Sequence, residues 1–449
     1  MSNLNRRDAL KLFAATTVSI AATSQLSAKD IENNKDIKSK ILIVGAGLGG
    51  ISLAARLRSE LPNASISIAD KDETFYYQPG FTLIATGIYT SGDVAFNKAD
   101  YIPDGVQWIK HNVISLSPTT NSVTFENNEN YTYDYLVLAT GVEYDFEAID
   151  GLSLDDIVGD TNISSVYVMS SAVKTNDLMQ KLADNGGKAL FCEQKTAMKC
   201  SGANKKIMML SEDRARLANN RDKVSINLYS GTSTTFSAPV YAKVMEQIFE
   251  QRDINYNLNH QIVAVDKARN TAIFEHSMKY KEDGQNKVAT EQVEVKYDWL
   301  HVVPKQKASA MYKEAGLSVE TGDTAGNWIS VTKETLQSNK FKNIFAIGDI
   351  CGVPMGKTGA SIRKMYPVVA RNLIDIIKGL EPSAKYDGYT ACPLITKYGK
   401  AIMVEFNWSG KPAPAMPCFG ATRESYINWF IKTKMFRSMI MQGMLRGLV

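Results

Sequence analysis

The run Gly45-Ala46-Gly47-Leu48-Gly49-Gly50 constrains this 449-residue chain more than any other feature. Ile41-Leu42-Ile43-Val44 precedes it, a short apolar run of the kind that forms a strand buried on both faces, and a helical pattern follows from Ile51 to Leu61. Ile66-Ser67-Ile68-Ala69-Asp70 then reads as the next strand. Such a βαβ unit presents a phosphate cradle at a helix N-terminus. Gly45 makes the tight turn, Gly47 lets a pyrophosphate approach, and Gly50 packs the helix on the strand. Asp70, ending the second strand, is positioned to accept ribose hydroxyls.

The remaining composition narrows the class. With 44% hydrophobic and 22% charged residues, the chain suffices for two or three packed domains. Its net charge of +4 is concentrated at the end, where Arg423, Lys432, Lys434, Arg437 and Arg446 face the single anion Glu424. No basic stripe of the sort a nucleic-acid binder needs is present. Five cysteines exclude complete internal pairing, no metal-ligand spacing occurs, and the scattered His111, His260, His276 and His301 read as structural.

At the start, Asn5-Arg6-Arg7-Asp8-Ala9-Leu10-Lys11 stands before a weakly apolar run from Leu12 to Ala22. This basic head and short apolar segment, with small residues near Ala28, reads as a twin-arginine-type export signal over 1–28. It predicts a periplasmic location, in an oxidising compartment where a disulfide can persist.

Further along, the segment from Val106 to Tyr135 reads as a β-meander ending in Leu136-Val137-Leu138-Ala139-Thr140-Gly141. Asn343-Ile344-Phe345-Ala346-Ile347-Gly348-Asp349 gives another buried strand. The two resemble the ATG and GD signatures of flavoproteins with two dinucleotide-binding domains. That resemblance implies FAD as cofactor, with Thr140, Gly141, Gly348 and Asp349 among its contacts and Asp349 on the ribityl chain. Between them lies a second α/β stretch, with a strand at Ala189–Cys192, a helix from Lys205, a strand at Val224–Tyr229 and a helix from Pro239. Its first turn, from Phe191 to Gly202, has no GxGxxG, so NADH is not expected there. The fold class expected is α/β, with two Rossmann-like dinucleotide-binding domains arranged as in glutathione reductase. An FAD domain takes 38–155 and 303–390, a second Rossmann-like domain 156–302, and a C-terminal region 391–449.

Two thiols stand out against this scaffold, Cys200 in Lys199-Cys200-Ser201-Gly202-Ala203 and Cys351 two residues beyond Asp349. Together with Tyr76-Tyr77-Gln78-Pro79-Gly80-Phe81-Thr82-Leu83, Leu300-His301-Val302-Val303-Pro304, Ile347-Gly348-Asp349 and Tyr386-Asp387-Gly388-Tyr389-Thr390-Ala391-Cys392-Pro393-Leu394, the Cys200 block resembles the sulfide:quinone oxidoreductase family. The resemblance implies a redox pair formed by Cys200 and Cys351, although Cys351 stands one residue later than in some members. It also implies flavin contacts from Gln78 and Pro79, and from Lys357 at a helix start facing the flavin pyrimidine edge. No cysteine precedes Cys192, so by the same comparison the FAD is non-covalent. Lys199, Lys205 and Lys206 at a helix N-terminus favour a thiolate at Cys200.

Ile427, Phe430, Ile431, Met435, Met439, Leu445 and Leu448 recur at helix-like intervals among basic residues. The tail therefore reads as an amphipathic, membrane-associated segment, too interrupted by charge to span a bilayer. Tyr398, Phe406 and Trp408 are candidates to line a quinone path. The expected partners are sulfide, a membrane quinone and a lipid surface; self-association is left open. The alternatives are the flavin subunit of a flavocytochrome c-type sulfide dehydrogenase, or a flavin-bearing interaction protein. Cys192, Cys392 and Cys418 are assigned to packing.

Overall fold

The computed structural model describes residues 32–354, 356–416 and 420–449. The export signal expected over 1–28, and Cys418, lie outside the described residues.

The first strand, β1 (Lys40–Val44), is buried from Ile41 onward with no alternation, as a strand covered on both faces must be. It leads through the glycine turn into α1 (Leu48–Glu60). Around β1 a five-stranded, all-parallel sheet runs in the order Ile344–Ala346, Tyr135–Leu138, β1, Ser65–Ala69, Val106–Ile109. Val44 is level with Leu138, and Leu138 with Ala346. Three turns remote in sequence, at Gly45, Ala139 and Ile347, therefore leave the same edge side by side, where ligands of open α/β sheets sit.

Val106–Ile109 departs from expectation. It pairs in parallel with Ser65–Ala69, and the antiparallel meander is the shorter set Val113–Ser117, Ser122–Phe125, Asn130–Thr132. Trp108 supplies a reason, because its indole N–H donates to the Asp70 carbonyl at 2.8 Å and ties that strand to the sheet end.

A second parallel sheet follows, in the order Ile163–Ser164, Trp299–Val302, β2 (Gly187–Glu193), Val224–Ser230, Ile254–Leu258. The helix after β2 is α2 (Ala203–Leu217). A long antiparallel meander, His260–Asp266, Thr271–Glu282 and Gln285–Lys296, closes this unit over a core of its own. The chain then returns to the first sheet and continues into α3 (Gly359–Ile377). The hairpin of β3 (Thr390–Lys397) and β4 (Lys400–Phe406) next packs β3 against α2.

The tail forms a run of short turns from Tyr426 to Arg446, two of them π-helical, Ile431–Met435 and Met439–Gly443. Each wide turn shifts the helical phase. Ile431, Ile440, Met441, Met444 and Leu445 consequently face protein, whereas Tyr426, Ile427, Phe430 and Leu448 stay exposed. The single lipid-facing stripe expected from the sequence is thus split, with Ile431 and Leu445 belonging to the core. The end docks on α1, where a Cβ at Gly447 would lie 2.8 Å from the Arg56 backbone nitrogen. No described helix is long and apolar enough to cross a membrane.

Candidate active site

Cys200 sits in the loop joining β2 to α2 and adopts a left-handed backbone, φ 48°. A non-glycine residue is held there only by its surroundings. Its N–H donates to the Lys357 carbonyl at 2.9 Å, its carbonyl accepts from Ala203 N–H at 2.7 Å, and the Tyr167 hydroxyl donates to the adjoining Lys199 carbonyl at 2.9 Å. The strained residue opens α2 and aims its sulfur at β3, which supplies Cys392. The two sulfurs are 3.4 Å apart.

Glycine at 202 makes that approach possible, since a Cβ there would lie 2.7 Å from Cys392 Sγ. Cys392 thus lies directly on the backbone at the N-terminus of α2. Lys206, one turn into the helix and buried, places Nζ 3.6 Å from Cys200 Sγ. Lys432, delivered by the tail and 2% exposed, donates to the Pro79 carbonyl at 2.9 Å. In the reduced pair Cys392 is the sulfur favoured as thiolate, because its thiol is lowered well below the ordinary range by the hydrogen bond from Cys200, then by Lys206, the Gly202 N–H and Lys432. Cys200 is raised as the donor of that bond and by burial.

The expected pairing of Cys200 with Cys351 is therefore corrected, because the sulfur facing Cys200 belongs to Cys392. Cys351 follows the turn Gly348–Ile350, bridges to Ile329 and is fully buried in the apolar core. Burial pushes its thiol up to about 12, the behaviour of an inert packed cysteine. The lysine expectation is refined too. Lys199 donates to Gln78 Oε1 at 2.6 Å and Lys205 is bound to Glu193 at 2.6 Å, which leaves Lys206 on the thiols.

The cradle beside the dithiol follows the signatures. Gly45 has φ +102°, and a Cβ there would lie 2.6 Å from the Ala139 carbonyl oxygen; at Gly50 it would lie 1.9 Å from that of Gly45. Gly47 and Gly141 face open space, with no heavy atom of the described residues beyond their chain neighbours within 4 Å of a Cβ built on them. Asp349 is half-buried, with its Oδ1 enclosed and without a hydrogen-bond partner among the described residues, and burial raises its carboxyl. An orphaned acceptor at the mouth of a glycine cradle fits the hydroxylated chain of FAD. Gly348, at φ +83°, turns Asp349 toward it, and Thr140 shares its hydroxyl with Tyr312 at 2.7 Å.

Two cofactor expectations change in detail. Asp70 accepts Ala46 N–H at 2.8 Å through Oδ2 and pairs with Lys98 at 2.8 Å through Oδ1, so it also braces the glycine turn. Lys357 donates to the carbonyls of Asp349 and Cys351 and lies 3.9 Å over the Trp328 ring. Burial lowers its amine to about 8.

A family model described as pyridine nucleotide-disulphide oxidoreductase matches residues 39–363. The chain is 33% identical over 429 residues to the mitochondrial sulfide:quinone oxidoreductase of Dictyostelium discoideum, spanning 95% of this chain and 90% of that relative. It belongs to the sulfide:quinone oxidoreductase family. The mitochondrial sulfide:quinone oxidoreductase of Mus musculus is likewise 33% identical, over 91% of this chain and 86% of its own. The crystal structure of the sulfide:quinone oxidoreductase from Aquifex aeolicus superposes with a TM-score of 0.73 at 21% identity, covering 91% of each chain, and shows the shared fold.

For a member of this family, the second Rossmann-like unit has an informative strand end. Where a nucleotide phosphate would meet the N-terminus of α2, the buried Glu193 carboxylate accepts from Lys205 Nζ at 2.6 Å and Asn204 Nδ2 at 3.2 Å. A fixed carboxylate there repels phosphate, in keeping with the missing glycine motif. His301 closes this network, accepting Val166 N–H at 3.0 Å and meeting Asn204 Oδ1 at 2.8 Å. Burial lowers its imidazole to about 3, so it stays neutral and structural, as expected.

The aromatic candidates separate. Phe406 is buried against Phe236 and Tyr241, with ring centroids 5.9 and 6.2 Å away, and is a core residue rather than a path lining. Trp408 packs on Tyr386 at 5.3 Å. Tyr398 remains beside the tail, 6.1 Å from the Trp429 ring, with its hydroxyl bound to Arg214 and the Thr86 carbonyl.

The thiol environments give a direct check. In the reduced protein, alkylation of the Cys200–Cys392 pair is expected to stay fast as pH falls from alkaline to neutral, because the thiolate on Cys392 persists. An ordinary thiol slows about tenfold per pH unit below its pKa. Cys351 and Cys192 should stay unlabelled at every pH that preserves the fold. Peptide mapping against pH checks this.

Proposed function

We propose that this chain oxidises sulfide at the Cys200–Cys392 pair and passes the electrons through FAD to a quinone. The observation that carries the reading is the 3.4 Å approach of two sulfurs at a helix N-terminus beside the flavin cradle. With the pair oxidised, hydrosulfide attacks one sulfur. A new S–S bond forms to the substrate, the Cys200–Cys392 bond breaks, and its electron pair leaves on the other cysteine as thiolate. Cys200 is the member on the cradle side, with its N–H on Lys357 and its sulfur within electrostatic reach of Asp349. Attack at Cys392 therefore places the persulfide on Cys392 and the thiolate on Cys200, where Lys206 stabilises it. Gly45, Gly47, Gly50, Gly348 and Asp349 hold the cofactor. When bound, FAD supplies the two-electron acceptor that connects sulfide to quinone.

The membrane contact belongs to the same reading. Tyr426, Ile427 and Phe430 are exposed near the exposed cations Arg423 and Lys434, a combination suited to an anionic lipid surface. Tyr398 and Trp429, whose rings pack together where the tail meets the body, are the residues assigned to quinone contact in this reading. Export to the periplasmic side rests on the Arg6-Arg7 head.

Anaerobic sulfide is expected to bleach the visible flavin band of the holoprotein, and decylubiquinone to restore it. Restoration by cytochrome c alone would transfer the protein to the flavocytochrome class, and an unbleached flavin would sink the proposal.

A further inference from the structure

The dithiol site holds two buried lysine amines, Lys206 and Lys432. Lys206 belongs to α2, whereas Lys432 comes from the tail, far along the chain. It is driven inward by the first π-turn while its neighbour Lys434 stays exposed. The segment is clamped from both sides: the Tyr89 hydroxyl donates to the Thr433 carbonyl at 2.6 Å, and Arg437 pairs with Asp93 at 2.6 Å. Lys432 Nζ spends one hydrogen bond on the Pro79 carbonyl. The charged and titratable groups that reach it are Lys206 from α2, Cys200 from the preceding loop and Cys392 from β3.

Building this site around two lysines has a consequence when its redox state changes. Conversion of the dithiol to the disulfide removes the negative charge carried by the sulfurs and leaves two lysine amines together in a buried space. Burial and mutual repulsion both favour loss of a proton from one of them. The same sulfurs that raise Lys206 do so from direct contact, whereas burial and then Lys206 lower Lys432 to about 7 even with the thiolate present. Lys432 is thus the group left neutral beside the disulfide. The other nearby bases are committed, Lys205 to Glu193, Lys357 to two backbone carbonyls, and His301 to Val166 and Asn204.

We propose that the Lys432 amine is the base that takes the proton from hydrogen sulfide as it meets the Cys200–Cys392 disulfide. This inference rests on the sulfide-oxidising function proposed above. The step balances. Neutral H2S transfers one proton to Lys432, giving hydrosulfide and an ammonium; hydrosulfide forms the bond to one cysteine sulfur, and the S–S electron pair leaves on the other. The thiolate so produced restores the anion that raises the Lys432 amine again. The base is thus recharged by the bond cleavage it promotes. Because the tail carries it, the site is assembled only while the C-terminal segment is docked.

The test uses FAD-loaded Lys432→Arg and Lys432→His proteins, matched to wild type for flavin content and melting temperature, in anaerobic stopped-flow bleaching by sulfide across neutral pH. Arginine keeps the charge but accepts no proton. Its rate is expected to fall by about 10²-fold on the acidic side, where H2S prevails, and to recover on the alkaline side, where hydrosulfide is already formed. Histidine, able to accept a proton, should restore most of the acidic-side rate. A Lys432→Arg profile parallel to wild type would overturn the assignment, leaving the lysine a mere source of charge, and so would a Lys432→His protein no faster than Lys432→Arg in acid. If the wild type itself never bleaches, the function beneath the inference falls with it; a bleaching wild type matched by Lys432→Arg removes the inference alone.

Discussion

Cys392→Ser is expected to abolish sulfide-dependent bleaching of the bound flavin, a loss of at least about 10³-fold, while the protein still purifies with its cofactor. Serine has nearly the volume of cysteine but forms no S–S bond, so the electrophile that hydrosulfide attacks is gone. The flavin cradle depends on Gly45, Gly50, Gly348 and Asp349, none of which the substitution touches. Cys351→Ser is the informative partner. Cys351 lies fully buried in the apolar core, and its sulfur is not the one facing Cys200. Its replacement should cost some stability and change the bleaching rate by no more than a few-fold. The reverse pattern, a dead Cys351→Ser and an active Cys392→Ser, would overturn the pairing.

Gly202→Ala should give the second large effect, with every thiol retained. The backbone at Gly202 is right-handed helical, φ −83° and ψ −1°, so alanine meets no conformational penalty there. Its methyl group, however, would stand 2.7 Å from Cys392 Sγ and 3.3 Å from Leu394 Cδ1. Ordinary van der Waals separation requires the sulfur to retreat by about 1 Å, away from Cys200 and from the α2 N-terminus. A displacement of that size at reacting atoms costs on the order of 10²-fold in rate. Re-formation of the disulfide under mild oxidation should slow in parallel, with flavin content unchanged. An alanine variant that cycles at the wild-type rate would show that contact with the helix terminus is dispensable.

Much of the scaffold was legible because its signals are local. An unbroken apolar strand, a glycine turn and a helical pattern follow one another over Ile41–Leu61, and Gly45 and Gly50 each have a steric reason within the motif or the adjoining turn. The same holds for the Ala139-Thr140-Gly141 and Gly348-Asp349 strand ends. The missing phosphate turn of the second domain was legible as an absence from the residues between Phe191 and Gly202.

The partner of Cys200 was not legible. Cys351 stands near a flavin signature, whereas Cys392 is 192 residues away from Cys200, in a block that carries the family resemblance but does not by itself say which thiol it meets. Only the docking of β3 onto α2, over a glycine with no side chain to hold them apart, brings those sulfurs together. The tail shows a similar limit: its apolar spacing is evident, but the π-turns that drive Lys432 inward arise from packing against Tyr89, Asp93 and α1. By itself the sequence determined the dinucleotide-binding framework, the FAD signatures and the loss of a nucleotide turn, since these depend on backbone sterics and periodicity over a few residues. The tertiary structure alone decided which thiols meet and that Lys432 joins Lys206 beside them, because those distances are set by contacts between segments remote in the chain, Cys200 and Cys392 standing 192 residues apart.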